Sequence, residues 1–408
     1  MLKVLFLIED GSLVYDNRVR REAATLRDAG SRVTVICPKY PNERWNDIVD
    51  GIQVYRYRKP SLGSCLAAHV LEYVTSLVAQ TFLAAWVFVR HGFHAIHAAN
   101  PPDLLWIVAA PYKLLGRRFV FDHHDLVPEL FEDRFGVQAR MLPVLRFMER
   151  MSFRLADHVI STNESYRRVA MARGQKGEDE VTVVRNGPDS RDFPDGAPDP
   201  AVRGLGRVVV GYLGNMNPQD GVDRFLEMAR IIRNDRGRKD VGFVMIGKGD
   251  SFAELKQLRD EYGLTDAVLM TGRVPWSDVL ATLRATDICV QPDPPGRLND
   301  HSTMNKLMEY MALGRAVVAY DLAETRVSGG DAAVYVKGDS AAALADAVLA
   351  LADDPEQLRT RQAAGPRRVS DVLAWQHQSR KLVDVYRRMF PDRLRAGSAA
   401  VPDAAATR

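Results

Sequence analysis

Apolar and polar residues alternate along this chain in blocks that predict a repeated order of strand, helix and strand. Val4–Ile8 is a continuous apolar run, as in a buried parallel strand, and a turn at Gly11 follows it. Asn17–Ala29 has the periodicity of a helix, and Arg32–Cys37 has the pattern of the next strand. The chain therefore opens with a βαβ unit, whose first loop faces the crevice where open α/β sheets bind ligands.

The same alternation continues and predicts an α/β protein with two Rossmann-like, doubly wound domains that face a central cleft. An N-terminal domain is expected over residues 1–195 and a C-terminal domain over 205–370, joined by a proline-rich linker. A final helix over 371–391 is expected to cross back to the first domain. The tail 392–408, rich in small residues, is expected to be disordered.

The most apolar stretch is Ser64–Val89. Its length would allow a membrane span, but His69, Glu72 and Gln80 would each be costly at the bilayer centre. A buried helix and a helix lying on a membrane surface fit the pattern equally well. In either case apolar residues recur at helical spacing and form a stripe along the helix: Leu66, Val70, Tyr73 and Leu77. Glu72 and Ser76 are expected to lie outside this stripe.

A candidate nucleotide site lies in Asn299–Arg326, which has the pattern of a loop, a short helix and a strand. Ser302 and Thr303 are predicted to cap the helix. The unpaired amides from Ser302 through Met304 to Asn305 can hold a phosphate, and Lys306 adds a full positive charge. Glu309 lies close by on the same side of the helix, where its carboxylate can accept hydrogen bonds from a ribose diol.

The run NKLMEYMALGRAVV resembles the donor-site helix of retaining glycosyltransferases of family 4, which have the GT-B fold, and the chain is most similar to their bacterial cell-envelope or exopolysaccharide type. That family has a Glu-x7-Glu pattern here, in which the second Glu holds the ribose and the first touches the donor sugar. Glu309 matches the second position. His301 stands at the first position, with Asp300 beside it, so the resemblance leaves the sugar contact open.

Two loops of the N-terminal half also resemble that family. The Asn100-Pro-Pro-Asp103 loop and the run that contains His124 and Asp125 both follow predicted strands. The resemblance implies that His124 and Asp125 lie near the reacting sugar. It further implies that the Gly11 loop covers the donor phosphates or the acceptor, with the acceptor side formed by Asp16, Asn100 and Asp103.

The turn that starts at Gly214 departs from the family pattern. Better-known members carry an Arg and a Lys there to neutralise the donor diphosphate, whereas this chain has Asn215 and Asp220. The expected replacement is Lys306 together with the helix amides, with a contribution from Arg18 or Arg273.

Composition narrows the remaining choices. The formal charge is +3, from 55 Lys and Arg against 52 Asp and Glu, which is no nucleic-acid signature. The cysteines Cys37, Cys65 and Cys289 form no CxxC pair, which fits a reducing compartment without a structural metal. We expect a cytoplasmic protein, and a peripheral contact with the inner membrane surface stays open.

The sequence therefore predicts an enzyme that transfers a hexosyl or N-acetylhexosaminyl group from a nucleotide diphosphate sugar, such as a UDP-sugar, with retention. The expected acceptor is lipid-linked or a polysaccharide, and neither a cofactor nor a metal is expected. Three alternatives remain: a sugar-nucleotide epimerase of the same fold, a glycogen-type synthase or phosphorylase, and a non-catalytic partner of another glycosyltransferase.

Overall fold

The computed structural model describes residues 1–60, 66–135 and 141–394. The chain forms two compact units. Met1–Asn186 and the C-terminal segment from Gln376 make up the first, and Gly187–Trp375 makes up the second. Each unit is built on its own largely parallel sheet, as the alternating pattern predicts.

The first unit contains an eight-stranded sheet in the order β3-β4-β2-β1-β5-β6-β7-β8, and only β3 runs antiparallel to its neighbour. Its strands are β1 (Lys3–Leu7), β2 (Arg32–Pro38), β3 (Asn46–Val49), β4 (Ile52–Tyr57), β5 (Ala95–Ala99), β6 (Arg118–His123), β7 (His158–Ser161) and β8 (Val181–Val183). The helices between them are α1 (Asn17–Asp28), α2 (Leu66–His91), α3 (Trp106–Leu114), α4 (Val127–Phe135), α5 (Leu142–Leu155) and α6 (Glu164–Gly174).

The hairpin of β3 and β4 is an element that the periodicity analysis missed. Asp50 and Gly51 join the two strands with φ angles of 50° and 75°, the left-handed pair that a tight hairpin turn requires. An Asp-Gly pair between short apolar runs is the sequence signal that would have found it.

The second unit contains a six-stranded parallel sheet in the order β11-β10-β9-β12-β13-β14. Its strands are β9 (Val208–Leu213), β10 (Val241–Ile246), β11 (Val268–Gly272), β12 (Ile288–Gln291), β13 (Ala316–Tyr320) and β14 (Ala333–Val336). Its helices are α7 (Pro200–Arg203), α8 (Val222–Arg230), α9 (Phe252–Glu261), α10 (Trp276–Arg284), α11 (Asn305–Ala312), α12 (Ala323–Gly329), α13 (Ala341–Asp353) and α14 (Pro355–Arg368). The four inner strands β9, β10, β12 and β13 are largely buried, because helices cover both faces of the sheet, whereas the edge strands β11 and β14 are partly exposed.

The last helix, α15 (Trp375–Met389), follows a break at Ala374 and packs within the first unit. Gln378 accepts a hydrogen bond from the Arg185 amide at 3.2 Å, and the Tyr386 hydroxyl lies 2.8 Å from His97 Nδ1. Of the predicted tail, residues 395–408 lie outside the described part of the chain.

The chain passes from the first unit to the second between Asn186 and Gly187, earlier than the border expected at residue 195. The residues that follow Gly187 contact the second unit, since the Trp276 indole donates to the Asp192 carbonyl at 2.7 Å. A Cβ on Gly187 would stand 1.8 Å from a backbone carbonyl oxygen, so this close approach requires glycine.

The sequence placed Glu72 and Ser76 off the apolar stripe of α2 and left open which face is buried; in the structure the polar face is the buried one. Glu72, Ser76 and Gln80 point into the unit, whereas Val70 is exposed. The Ser76 hydroxyl donates to Glu9 Oε1 at 2.9 Å, and the Gln80 amide donates to the Ile8 carbonyl at 3.2 Å. These polar side chains face inward because groups at the end of β1 need hydrogen-bond partners.

Candidate functional site

In the second unit, the carboxyl ends of β9 and β12 lie side by side, at the point where the strand order changes direction. β9 leads into the turn that starts at Gly214, and β12 leads into the loop before α11. Open α/β sheets bind ligands at such a point, because the two loops diverge there. The turn and the helix indicated by the sequence are therefore neighbours in the fold.

The helix α11 begins one or two residues later than its predicted caps imply. Met304 is the cap residue, and its side chain makes no capping bond. Ser302 and Thr303 lie in the preceding loop, so their assignment as caps was wrong; the Ser302 hydroxyl donates instead to the Leu298 carbonyl at 2.8 Å. Because the cap residue offers no side-chain acceptor, this helix end keeps its partial positive charge.

Asn299 positions the loop before α11, although sequence reasoning did not single it out. Its amide donates to the Gln219 carbonyl at 3.1 Å and to the Pro294 carbonyl at 2.9 Å. The loop is thereby tied to the turn that follows β9. His301, which stands at the predicted sugar-contact position, and Asp300 beside it are both exposed in this loop.

Lys306 is buried and forms an ion pair. Its Nζ lies 2.9 and 3.2 Å from the two carboxylate oxygens of Asp293 and donates to the Tyr212 hydroxyl at 3.4 Å. Burial alone would lower the pKa of Lys306, but the carboxylate of Asp293 outweighs it, with smaller contributions from Tyr212 and Asp220, and the pKa lies above its usual range. The amine is therefore protonated, and a neighbouring carboxylate already compensates its charge.

The Lys306 amine lies beneath the turn that starts at Gly214. A Cβ on Gly214 would stand 3.4 Å from Lys306 Nζ, and a Cβ on Gly247 would stand 2.0 Å from the Gly214 carbonyl oxygen. Asp220 closes the turn by accepting from the Asn217 amide at 3.0 Å. Burial raises the pKa of Asp220 to about 6, although Lys306 opposes the shift. A carboxylate, Asp220, and an amide, Asn215, thus stand where the family pattern has two cations.

The remaining predicted donor residues occupy three different positions. Glu309 is half-buried on α11, one turn beyond Lys306. Asn215 is exposed in the turn after β9, and its carbonyl accepts from the Tyr212 hydroxyl. Arg273 follows β11 at the edge of the sheet, with β10 between it and β9, and its donor contact stays a prediction.

In the first unit, the strand order changes direction between β1 and β5. The Gly11 loop follows β1, and Asn100 follows β5. Asn100 is buried and accepts from the amides of His124 and Asp125 at 2.8 and 3.1 Å. It also donates to Asp103 at 2.9 Å. Since Asn100 and Asp103 are both buried, we assign them to holding this loop in place rather than to contact with an acceptor.

The two adjacent histidines have different surroundings. His123 is buried among the rings of Phe121, Phe153 and Tyr166. Burial lowers its pKa to about 3, so His123 is a neutral packing residue. His124 is half-buried at the carboxyl edge of the sheet, with Nδ1 3.6 Å from Asp122 Oδ2. Only His124 of this pair is placed to contact a ligand.

Asp125 and Asp16 lie close to His124. Burial raises the pKa of Asp125 to about 6, with His124 opposing the shift and Asp10 and Asp16 adding to it. Asp16 caps α1 by accepting from the Val19 amide at 2.9 Å, and its pKa is likewise raised by burial and lowered by His124. An imidazole and two carboxylates therefore converge at this edge of the first unit.

Arg18 is buried inside the first unit. It donates from Nε and Nη2 to the two oxygens of Asp122 at 2.8 and 2.6 Å, and Nη2 lies 3.1 Å from Glu22 Oε1. Its Nη1 donates to the Val184 carbonyl at 2.9 Å. The donor contact predicted for Arg18 does not fit these internal bonds, so we leave Arg18 out of the donor site.

Glu22, His97 and Asp122 offer ligand atoms that all lie within 4.8 Å of one another, the chemistry of a metal site. Burial lowers the pKa of His97, but the carboxylates of Asp122 and Glu22 outweigh it and raise the pKa to about 9. Protonated His97 and Arg18 together balance the two carboxylates. The group therefore fits a buried ion cluster better than a metal centre.

Each of the two units matches a family of known proteins. Residues 15–187 match the family described as "Glycosyl transferase 4-like domain", and residues 207–354 match "Glycosyl transferases group 1". The phosphatidyl-myo-inositol mannosyltransferase of Mycolicibacterium smegmatis is 28% identical over 382 residues, which are 91% of this chain and 89% of that protein.

Two solved structures share the fold. The sucrose-phosphate synthase of Thermosynechococcus elongatus superposes with a TM-score of 0.77 at 18% identity, covering 96% of this chain and all of that one. Alr3699/HepE of Anabaena, in complex with UDP and glucose, gives a TM-score of 0.70 at 16% identity, covering 95% and 100%. The two family matches and the two parallel-sheet domains of this chain show that it belongs to the group 1 glycosyltransferases and has the GT-B fold.

Proposed function

We propose that this glycosyltransferase binds a nucleotide diphosphate sugar in its second unit and transfers the sugar, with retention, to a lipid-linked or polysaccharide acceptor. The observation that carries the donor assignment is the meeting of the Gly214 turn and α11 at the strand-order change, with the Lys306 amine beneath the turn. The Anabaena neighbour binds UDP and glucose, which supports a UDP-type donor.

The ribose and the diphosphate of the donor each have a proposed partner in the second unit. Glu309 accepts hydrogen bonds from the ribose diol. The amides at the start of α11 face the diphosphate, and the helix end supplies most of the positive potential because Asp293 already compensates Lys306. For the first unit, the proposed role of His124 and Asp125 is contact with the transferred sugar. The departing diphosphate takes the proton of the acceptor hydroxyl, and the transfer needs no metal.

A nucleoside diphosphate is expected to raise the melting temperature of the wild-type protein but not of Glu309→Ala. A ligand that binds only the folded state stabilises it by about 2.7 kcal/mol at a hundredfold excess over its Kd. A thermal-shift panel of UDP, GDP, ADP, dTDP and CMP, with and without EDTA, measures this. Glu254→Ala, an exposed glutamate on α9 of the same unit, is the control and should respond like the wild type.

Three results would contradict the proposal. Stabilisation by none of the nucleotides would refute the donor site, and an equal shift in Glu309→Ala would move the ribose contact elsewhere. A shift that EDTA abolishes would show that the site needs a metal.

We further propose that the enzyme is cytoplasmic and that the outer face of α2 contacts a membrane, where a lipid-linked acceptor would lie. Val70–His91 is long and apolar enough to cross a membrane, but its polar side chains are bonded inside the first unit. Most of its exposed side chains are large and apolar, and an exposed patch of this kind marks an interaction surface: Val70, Leu71, Val74, Val78, Phe82, Trp86 and Val89.

Val78→Asp is expected to abolish co-flotation of the protein with vesicles of phosphatidylcholine and phosphatidylglycerol, because it places a charge on the face that would enter the lipid. Val327→Asp is the matched control, since Val327 is an exposed valine in the second unit, 47% exposed against 51% for Val78. Equal flotation of both variants, or no flotation of the wild type, would refute the membrane contact.

A further inference from the structure

Three aromatic side chains stand exposed on two loops of the first unit. Tyr15, Tyr40 and Trp45 are 65%, 38% and 57% exposed, and Val14 beside them is also exposed. Leaving large aromatic rings in water forgoes the burial that usually stabilises them. We call these four residues the aromatic surface.

The aromatic surface lies at the carboxyl ends of two adjacent strands. Tyr15 is in the loop after β1, and Tyr40 follows β2, which pairs with β1. Their ring centroids are 5.1 Å apart, and the ring planes are inclined by 47°. Ligands of parallel sheets bind at this edge, so the two rings stand where a ligand would pass.

The loop that carries Tyr40 is held in a defined shape. The Glu43 amide donates to the Tyr40 carbonyl at 3.2 Å, and Asn42 has a φ of 68°, the geometry that a proline-containing Tyr-Pro-Asn-Glu turn favours. The Glu43 carboxylate accepts from the Tyr40 amide at 2.8 Å and from the Ser12 hydroxyl. Glu43 therefore fastens the turn after β2 to the loop after β1.

Arg56, which is buried on β4, holds the other end of this loop. Its amide donates to the Trp45 carbonyl at 2.8 Å, its Nη1 donates to the Arg44 carbonyl at 2.8 Å, and its Nε lies 3.2 Å from Glu43. The aromatic rings are thus exposed on a framework that is already ordered. A ligand would not have to order the loops in order to bind, which favours binding.

The aromatic surface adjoins the proposed reaction site within the same unit. Tyr15 directly precedes Asp16, and Asp16 is close enough to His124 for the two side chains to interact electrostatically. A group resting on Tyr15 would therefore lie next to the side chains assigned to the transferred sugar. Because the donor is proposed to bind the second unit, the substrate proposed for this edge of the first unit is the acceptor.

We propose that the aromatic surface binds a pyranose ring of the acceptor, with the C–H face of the sugar packed against Tyr15 and Tyr40. This inference rests on the proposed function. A sugar ring matches the size and chemistry of the patch, because charged groups accompany the rings: Lys39 Nζ lies 5.5 Å from the centroid of the Trp45 ring, and the Glu43 carboxylate accepts from the Tyr40 amide. A lipid surface would require a continuous apolar face, which α2 offers and these loops do not.

The test is NMR of protein labelled with ¹³C in the tyrosine rings, titrated with maltose, chitobiose and mannobiose. The Tyr15 and Tyr40 signals are assigned from the Tyr15→Phe and Tyr40→Phe variants, and the other tyrosines serve as internal controls. At least one disaccharide is expected to shift both signals. Tyr15→Ala combined with Tyr40→Ala should weaken that binding at least tenfold, whereas each Phe variant, which keeps the ring, should bind within about twofold of the wild type.

Two results would overturn the inference. One is the absence of a shift with all three disaccharides, and the other is a shift of both signals with anionic vesicles but not with sugars. The nucleotide panel with the wild-type protein separates this failure from failure of the proposed function. If UDP-type stabilisation persists while the disaccharides leave Tyr15 and Tyr40 unshifted, only the acceptor surface is refuted; if nucleotide stabilisation is absent, the donor assignment fails.

Discussion

Lys306→Met is expected to lower the free energy of unfolding by about 3–5 kcal/mol, because it leaves the Asp293 carboxylate buried without its cation. Asp293→Asn should destabilise the protein similarly by leaving the ammonium unpaired. The double variant should recover most of the loss, since replacing both members of a buried pair is often close to neutral. Urea unfolding of the four proteins measures the coupling between the two residues.

The same variants separate a structural role of Lys306 from a catalytic one. If the amine also stabilises charge on the departing diphosphate, the double variant regains stability while turnover stays about 10²-fold or more below wild type. Lys256→Met, an exposed lysine on α9, is the control for removing a cation from this unit. Recovery of turnover together with stability would restrict Lys306 to holding Asp293 in place.

The second unit could be predicted largely from the sequence. The sequence predicts strands over Val208–Leu213, Val241–Ile246 and Ile288–Gln291, and these are the bounds of β9, β10 and β12. The bounds agree because strands buried on both faces have uninterrupted apolar sequences. The helix α11 was also found from local pattern. Its N-terminal cap is Met304, one or two residues after the predicted position. Ser302 and Thr303 belong to the preceding loop, where the Ser302 hydroxyl donates to the Leu298 carbonyl.

What the sequence could not supply are contacts between residues that are distant along the chain. Arg18 was read as a cation available to the donor, but its carboxylate partner Asp122 is 104 positions away. The buried face of α2 stayed open for the same reason, because Glu9, which accepts a hydrogen bond from Ser76, lies in the loop after β1. A periodic pattern shows that a helix has two faces, but the partners on neighbouring elements decide which face is buried.

The charge of the donor site is a second point that only the structure could resolve. Sequence reasoning counted Lys306 as a replacement for the two missing cations. Asp293 was not singled out, although it lies in the loop after β12, and it takes up the charge of that amine. The end of α11 is therefore the source of positive potential that we propose for a diphosphate in this unit.

His124→Ala is expected to lower turnover about 10²- to 10⁴-fold with little effect on unfolding, because His124 is half-buried and stands beside the proposed sugar position. His123→Phe is the matched control. His123 packs among aromatic rings as a neutral side chain, so a phenyl ring should replace it with turnover within a few fold of wild type. Equal losses in both variants would show that the effect arises from packing of this loop.

The pH dependence of turnover tests the neighbouring carboxyl group. Burial raises the pKa of Asp125 to about 6, so its folded state binds a proton more tightly than its unfolded state. Stability contributed by this group is therefore present at acidic pH and declines as pH rises from about 4 to about 6. If the ionised carboxylate accepts hydrogen bonds from the sugar, turnover rises through pH 6 in the wild type. Asp125→Asn should lose that step and should be at least as stable as wild type at pH 7; a pH step that persists in Asp125→Asn would assign it to another group.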